Sequence, residues 1–164
     1  MLETRLLSIY LNDHRAGATA EAELARRTLG SNRGNKWGDA LQPLCAEIEA
    51  DLVTLDQAMS QLGIQRNPVK MVAAWGVEKL GRLKLNGRLS GYSPLSRVLE
   101  LEVLGGALAG KGALWRTLDA TVSAQLAELD LPALAERAGS QRQAVERLRL
   151  EAAADAFAEE GDRA

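Results

Sequence analysis

Four helical segments of this chain each put a carboxylate on or beside an apolar stripe: Glu21, Asp51 or Glu47, Glu78, and Glu102. Carboxylates presented helix by helix toward a shared axis are the donors of a metal-holding bundle. In such a bundle one Glu from each of two helices joins a Glu-x-x-His pair from each of the other two. The single histidine, His14, lies outside any such pair. Glu47 is followed three residues on by Ala50, Glu49 by Leu52 and Glu102 by Gly105, so the nitrogen ligands are missing. Two expectations follow. A carboxylate-rich site holding iron or manganese would support oxidative, ferroxidase-like chemistry. The favoured alternative is that the di-metal site has been lost, leaving a bundle that catalyses nothing.

Each candidate has a structural reading beside the chemical one. His14 precedes Glu21 by seven residues, two turns along one face, so both can point inward; a packed or partly exposed structural histidine is the favoured reading. Glu47 and Asp51 are one turn apart and can chelate a cation, but two charges at the edge of the apolar stripe explain them as well. Glu102 lines up with Val98 and Gly105, which makes it the acid expected to be buried and to need a basic partner, with Arg82, Lys79 and His14 as candidates. Lys79, Arg82, Lys84 and Arg88 form the one concentrated positive patch. It could hold phosphate or an acidic partner, or simply complement a helix C-terminus. Ser8, Ser93 and Cys45 lack a base and an orienting group nearby, and one histidine leaves little material for a triad, so hydrolase chemistry is set aside. Trp37, Trp75 and Trp115 are spread over three segments and read as packing anchors.

Composition narrows the setting. A chain of 164 residues fits one domain, and 46% hydrophobic with only 4% aromatic residues means a core of Ala, Leu and Val, which favours helix on helix. The formal charge of −2 provides no global field for nucleic acid or an anionic membrane, and neither is expected as a partner. The lone Cys45 suits a reducing cytoplasm, where a buried thiol acts as core filler. No stretch approaches the ~18 uncharged apolar residues of a membrane span, and the N-terminus lacks a basic start followed by an apolar run. A soluble, cytoplasmic protein is expected.

The apolar spacing predicts helix one from about Glu3 to Leu29, stopped by Gly30. Helix two carries Leu41, Leu44, Ile48, Leu52, Leu55, Met59 and Leu62, with Pro43 in its first turn and Gly63 at its end. Asn67 before Pro68 opens helix three, which runs to Asn86; Ser93 before Pro94 opens helix four, with Val98, Leu101, Gly105, Leu108, Gly112 and Trp115 on one face. The glycines there point to close approach by another backbone. Asp119 to Glu128 reads as a short helical piece, and Asp130 caps a longer helix reaching Phe157, before a fraying tail, residues 159–164. Short connections make neighbouring helices antiparallel. The expected fold is all-α: an up-and-down four-helix bundle with an additional C-terminal helix, forming one domain over residues 1–158.

The segments YLNDHRAGATAEAELARR, EIEADLVTL, EKLGRLKLNG and YSPLSRVLELEVL resemble a bacterial branch of the ferritin-like superfamily that lacks the Glu-x-x-His motifs, over roughly Leu6 to Leu118. The resemblance implies a ferritin-like bundle and carries no activity with it. Joined to the missing histidines, it leads to a non-catalytic oligomeric or protein-interaction module. A homo-oligomer is expected, a dimer being the simplest, with apolar faces of the fifth helix and the glycine-rich face of the fourth as candidate surfaces.

Overall fold

The computed structural model describes residues 3–67 and 92–158. Glu78, the basic residues Lys79, Arg82, Lys84 and Arg88, Trp75 and the third expected helix lie outside them. The described residues are all-helical, with no strand: α1 (Thr4–Ser31), α2 (Lys36–Gln61), α3 (Pro94–Val122), a 3-10 turn (Ser123–Leu126) and α4 (Leu131–Phe157).

Local chemistry explains most of the boundaries. Asn35 caps α2, its side-chain oxygen accepting from the backbone N–H groups of Trp37 at 2.9 Å and Gly38 at 3.2 Å. This cap starts α2 five residues before its first expected apolar position, so Pro43 sits in the second turn rather than the first. The defect is tolerated because Pro43 and Asp39, whose carbonyl loses its partner, are both exposed to water. α2 ends on Gly63, with φ +66, where Ile64 N–H reaches the Met59 carbonyl at 2.9 Å and Gly63 N–H reaches that of Ser60 at 3.0 Å. That is the paired-bond stop a left-handed glycine permits. Ser93 caps α3 through Ser96 N–H at 3.1 Å, and Asp130 caps α4 through Ala133 N–H at 3.0 Å, each followed by a proline in the first turn. α3 passes through its glycines without a break, so residues 119–122 complete it rather than beginning a separate piece.

Gly38 is demanded by the α1–α2 connection. A Cβ there would collide with the backbone carbonyl of Asn32, which has no flexible end to swing away. Of the α3 glycines, Gly112 does meet a neighbouring helix, its Cβ position lying 3.7 Å from that of Ala138, whereas Gly106 and Gly110 face open space. Close intramolecular packing therefore accounts for only part of the cluster.

The core divides into two sections along the axis. One joins Ala22 to Ala25 of α1, Trp37 to Ile48 of α2, Val98 to Leu108 of α3, and Val145 and Ala152 of α4. The other joins Leu11, Leu55 to Met59, Leu114 to Val122, and Leu131 and Ala138. These pairings fix the helix directions. α1 runs against α2 and α3, and α4 runs against α3 and α2, so α2 and α3 are parallel. The C-terminal helix is thus a full member of the core rather than an addition to it. Gln61 and Pro94, the facing ends of α2 and α3, lie at opposite ends of the bundle.

A four-helix ion cluster as the candidate functional site

Between the two core sections lies a polar layer with one buried residue from each helix. Glu21 stands between Ala18 and Ala25, Asp51 between Ile48 and Leu55, Lys111 between Leu108 and Trp115, and Gln141 between Ala138 and Val145. Each is three residues after one inward position and four before the next, which is the phase of a core residue. All four are buried, with side chains of Lys111, Glu21 and Asp51 only 5%, 3% and 3% exposed.

The ammonium of Lys111 is the centre of the layer. Its Nζ lies 2.8 Å from Asp51 Oδ2, 2.9 Å from Glu21 Oε1 and 3.2 Å from Gln141 Oε1. Asp51 also receives Arg137 on Oδ1 and the amide of Gln141 on Oδ2 at 3.0 Å. The same amide reaches Glu47 Oε2 at 3.1 Å, at the exposed rim. Burying a lone ion costs several kcal/mol, so such a layer persists only when charges are matched and hydrogen-bonded. With Glu21 and Asp51 ionised, Lys111 and Arg137 balance them.

Glu21 is the weak member. Burial pushes its carboxyl above the ordinary value of 4.5; Lys111 opposes the rise and Asp51 adds to it. Although Nζ lies 2.9 Å from Oε1, the cost of taking this carboxylate out of water outweighs what Lys111 returns. The sign for stability follows from proton counting. Above pH 4.5 the folded state holds a proton that the unfolded chain has released, so this contribution falls as pH rises through the folded pKa and then levels off. Glu21→Gln is expected to remove that component. Urea denaturation from pH 4.5 upward should show wild type losing stability relative to the variant; parallel pH profiles would refute the assignment.

The sequence candidates fall into place unevenly. Glu21 and Asp51 meet at one ammonium, with Glu47 one hydrogen bond away. Asp51 is interior rather than at the stripe edge. His14 is elsewhere, half-buried against Tyr10 with ring centroids 4.4 Å apart and its pKa lowered by burial. Glu102 is exposed, contrary to the burial expected of it, because it lies one residue past the inward Leu101 and is turned outward. It lines an open groove of about 740 Å³ between α3 and α4, with Gly106, Arg142, Glu146 and Arg149 among its neighbours. The buried acid of that turn is Glu100, on the other side of Leu101. It takes Tyr92 O–H at 2.9 Å and Arg27 at 3.1 Å. Asn32 links Tyr92 to Arg97 at 3.0 and 2.8 Å, and Arg97 lies over the Trp37 ring. Burial, with Glu100 adding to it, pushes the Tyr92 hydroxyl well above its usual pKa. This second network ties the start of α3 to the α1–α2 corner.

Sequence reasoning missed Lys111, Gln141 and Arg137. The signal was present: a lysine at core phase in GALAGKGALW and a glutamine at core phase in α4. Cys45 is buried, its thiol pushed up by burial, and Ser93 is used as a cap, so neither is a nucleophile.

The layer does not suit a di-metal centre. Among the described residues no group of three or more His, Cys, Asp or Glu side chains is placed to hold a metal ion, and the point where two carboxylates converge carries a lysine. Nor is the ammonium open to a substrate, being walled in by its four helices. No helix among the described residues is long and apolar enough to cross a membrane. Comparison with family models, with curated proteins and with solved structures finds no match to this chain.

Proposed function

We propose that this chain is a ferritin-like bundle whose di-metal centre has been replaced by an internal ion cluster. It works without catalysis, as a self-associating interaction module. The observation that carries the reading is the Lys111 ammonium set between Glu21 and Asp51, with its positive charge supplied from within the chain. Two antiparallel hairpins with α2 and α3 parallel are also the directions that a bundle with one long crossover connection has, as ferritin-like folds do.

With the interior sealed, the working surface is outside. Along α3, Glu102, Gly106, Ala109, Ala113, Arg116 and Ala120 are all exposed and follow one another at spacings of four and three residues, the seam of a helix pair. Small residues permit close approach, and among the described residues nothing lies against Gly106 or Gly110. Glu102 and Arg116 each lie seven residues from Ala109. An antiparallel, two-fold pairing about Ala109 therefore sets Glu102 of one copy against Arg116 of the other, twice. Sedimentation equilibrium is expected to show a dimer that Glu102→Arg dissociates and that the double change Glu102→Arg with Arg116→Glu restores. A monomer at every concentration, or a dimer indifferent to both changes, would remove this part of the reading.

A further inference from the structure

The α3 seam has α4 close beside it. Gly105 meets Val145 and Gly112 meets Ala138, so α4 lies along one flank of α3, within about a quarter turn of the seam. A two-fold axis that pairs α3 antiparallel with its copy about Ala109 is perpendicular to the plane of the two helices, and it keeps that flank on one side. α4 and its copy are therefore brought next to each other, antiparallel and about the same axis, at the level of Gln141 and Arg142. The face that α4 turns outward there is a seam in its own right. Pro132, Gly139, Gln143, Glu146, Leu150 and Phe157 are all exposed and recur at intervals of seven, four, three, four and seven residues.

We propose that self-association buries α4 as well as α3, packing two helices from each copy around the α3–α4 groove, with Leu150 as the apolar anchor. The inference rests on the reading of this chain as a self-associating module, and the occupant of the α4 face is a second copy. Gly139 lies nearest the axis, and among the described residues no atom comes within 4 Å of its Cβ position, so the two α4 helices can approach closely. Leu150, one of the large apolar side chains left in water, falls opposite Pro132 of the other copy, and the symmetry makes this contact twice. Glu146, on the same face, brings no unpaired charge, because Arg149 holds each of its oxygens at 2.7 Å. Area favours the larger contact. A stable pairing covers about 800 Å² on each partner. One glycine and three alanines with Glu102 and Arg116 fall well short of that, and the α4 seam supplies the rest.

The test compares the full chain with Gly139→Gln, Leu150→Asp and Glu102→Arg by sedimentation equilibrium, with Val53→Asp as the control. Gly139 has room for a side chain in the single copy, and glutamine favours helix over glycine, so the first variant keeps its fold. Val53 on α2 is as exposed as Leu150, 57% against 55%, and lies on neither seam. Gly139→Gln and Leu150→Asp are each expected to raise the dimer Kd about tenfold or more, and Val53→Asp to leave it unchanged. A dimer that Glu102→Arg dissociates, but that stays as tight as wild type in either α4 variant, overturns this inference and leaves the α3 pairing standing. Equal weakening by Val53→Asp overturns it too, as does a dimer that the α4 variants weaken and Glu102→Arg does not. A wild type that is monomeric at every concentration overturns both readings.

Discussion

Lys111→Met is expected to cost about 3–5 kcal/mol, the usual result of removing one side of a buried ion pair. The substitution keeps the length and much of the volume of the side chain, so the loss is electrical rather than a cavity. Glu21 and Asp51 then face each other across the bundle with Arg137, on one edge, as their remaining cation. Repulsion and desolvation both favour taking up a proton, so the variant should regain stability as the pH is lowered toward the carboxylate range. Adding Glu21→Leu removes the worst-placed carboxylate. The double variant should recover most of the loss, since an apolar replacement of a buried ion pair is often neutral or better. Chemical denaturation of the four members of this cycle measures the coupling directly. Additive effects of Lys111→Met and Glu21→Leu would mean that the two side chains do not interact as their 2.9 Å separation implies.

Asp51→Ala should be comparably damaging, at about 3–5 kcal/mol, because Asp51 joins three side chains from two helices. Its Oδ2 takes Lys111 and Gln141 and its Oδ1 takes Arg137. Removing it strands two cations with Glu21 alone, and it also deletes a group that raises the Glu21 pKa. Glu21 should consequently ionise at lower pH in this variant than in wild type, which an NMR titration of the side-chain carbon would read. Glu47→Gln is the control. Glu47 is exposed and at the rim, so the change should stay within about 0.5 kcal/mol, as surface substitutions usually do. Equal costs for Asp51→Ala and Glu47→Gln would contradict the burial difference on which the layer depends.

Much of the architecture was legible because helices advertise themselves by phase. The caps Ser93 and Asp130, the stop at Gly63 and the apolar stripes of α2 and α3 lie where the residue types require them. Glu21 was legible for the same reason, whereas Asp51, read at the edge of the α2 stripe, proves to stand inside it. Glu102 and Glu100 show the limit of the method. They flank Leu101, and a turn of about 100° per residue sends one to solvent and the other inward, which an apolar pattern broken by glycine did not decide. Lys111 was hidden by its setting, since a lysine among glycines and alanines reads as surface until its two core neighbours, Leu108 and Trp115, are counted. Helix direction was legible where connections are short, since α1 and α2 run antiparallel and so do α3 and α4. The expected up-and-down order, with one further helix between α2 and α3, also sets those two parallel, as the tertiary contacts between named side chains have them.

The most direct test is elemental analysis of the wild-type protein, purified without chelator from cells supplied with iron and manganese. Substoichiometric metal, unchanged by Glu21→Gln, is the expected result for a centre occupied by its own ammonium. Near one metal per chain, lost on Glu21→Gln or Asp51→Asn, would contradict it and return the bundle to metal chemistry.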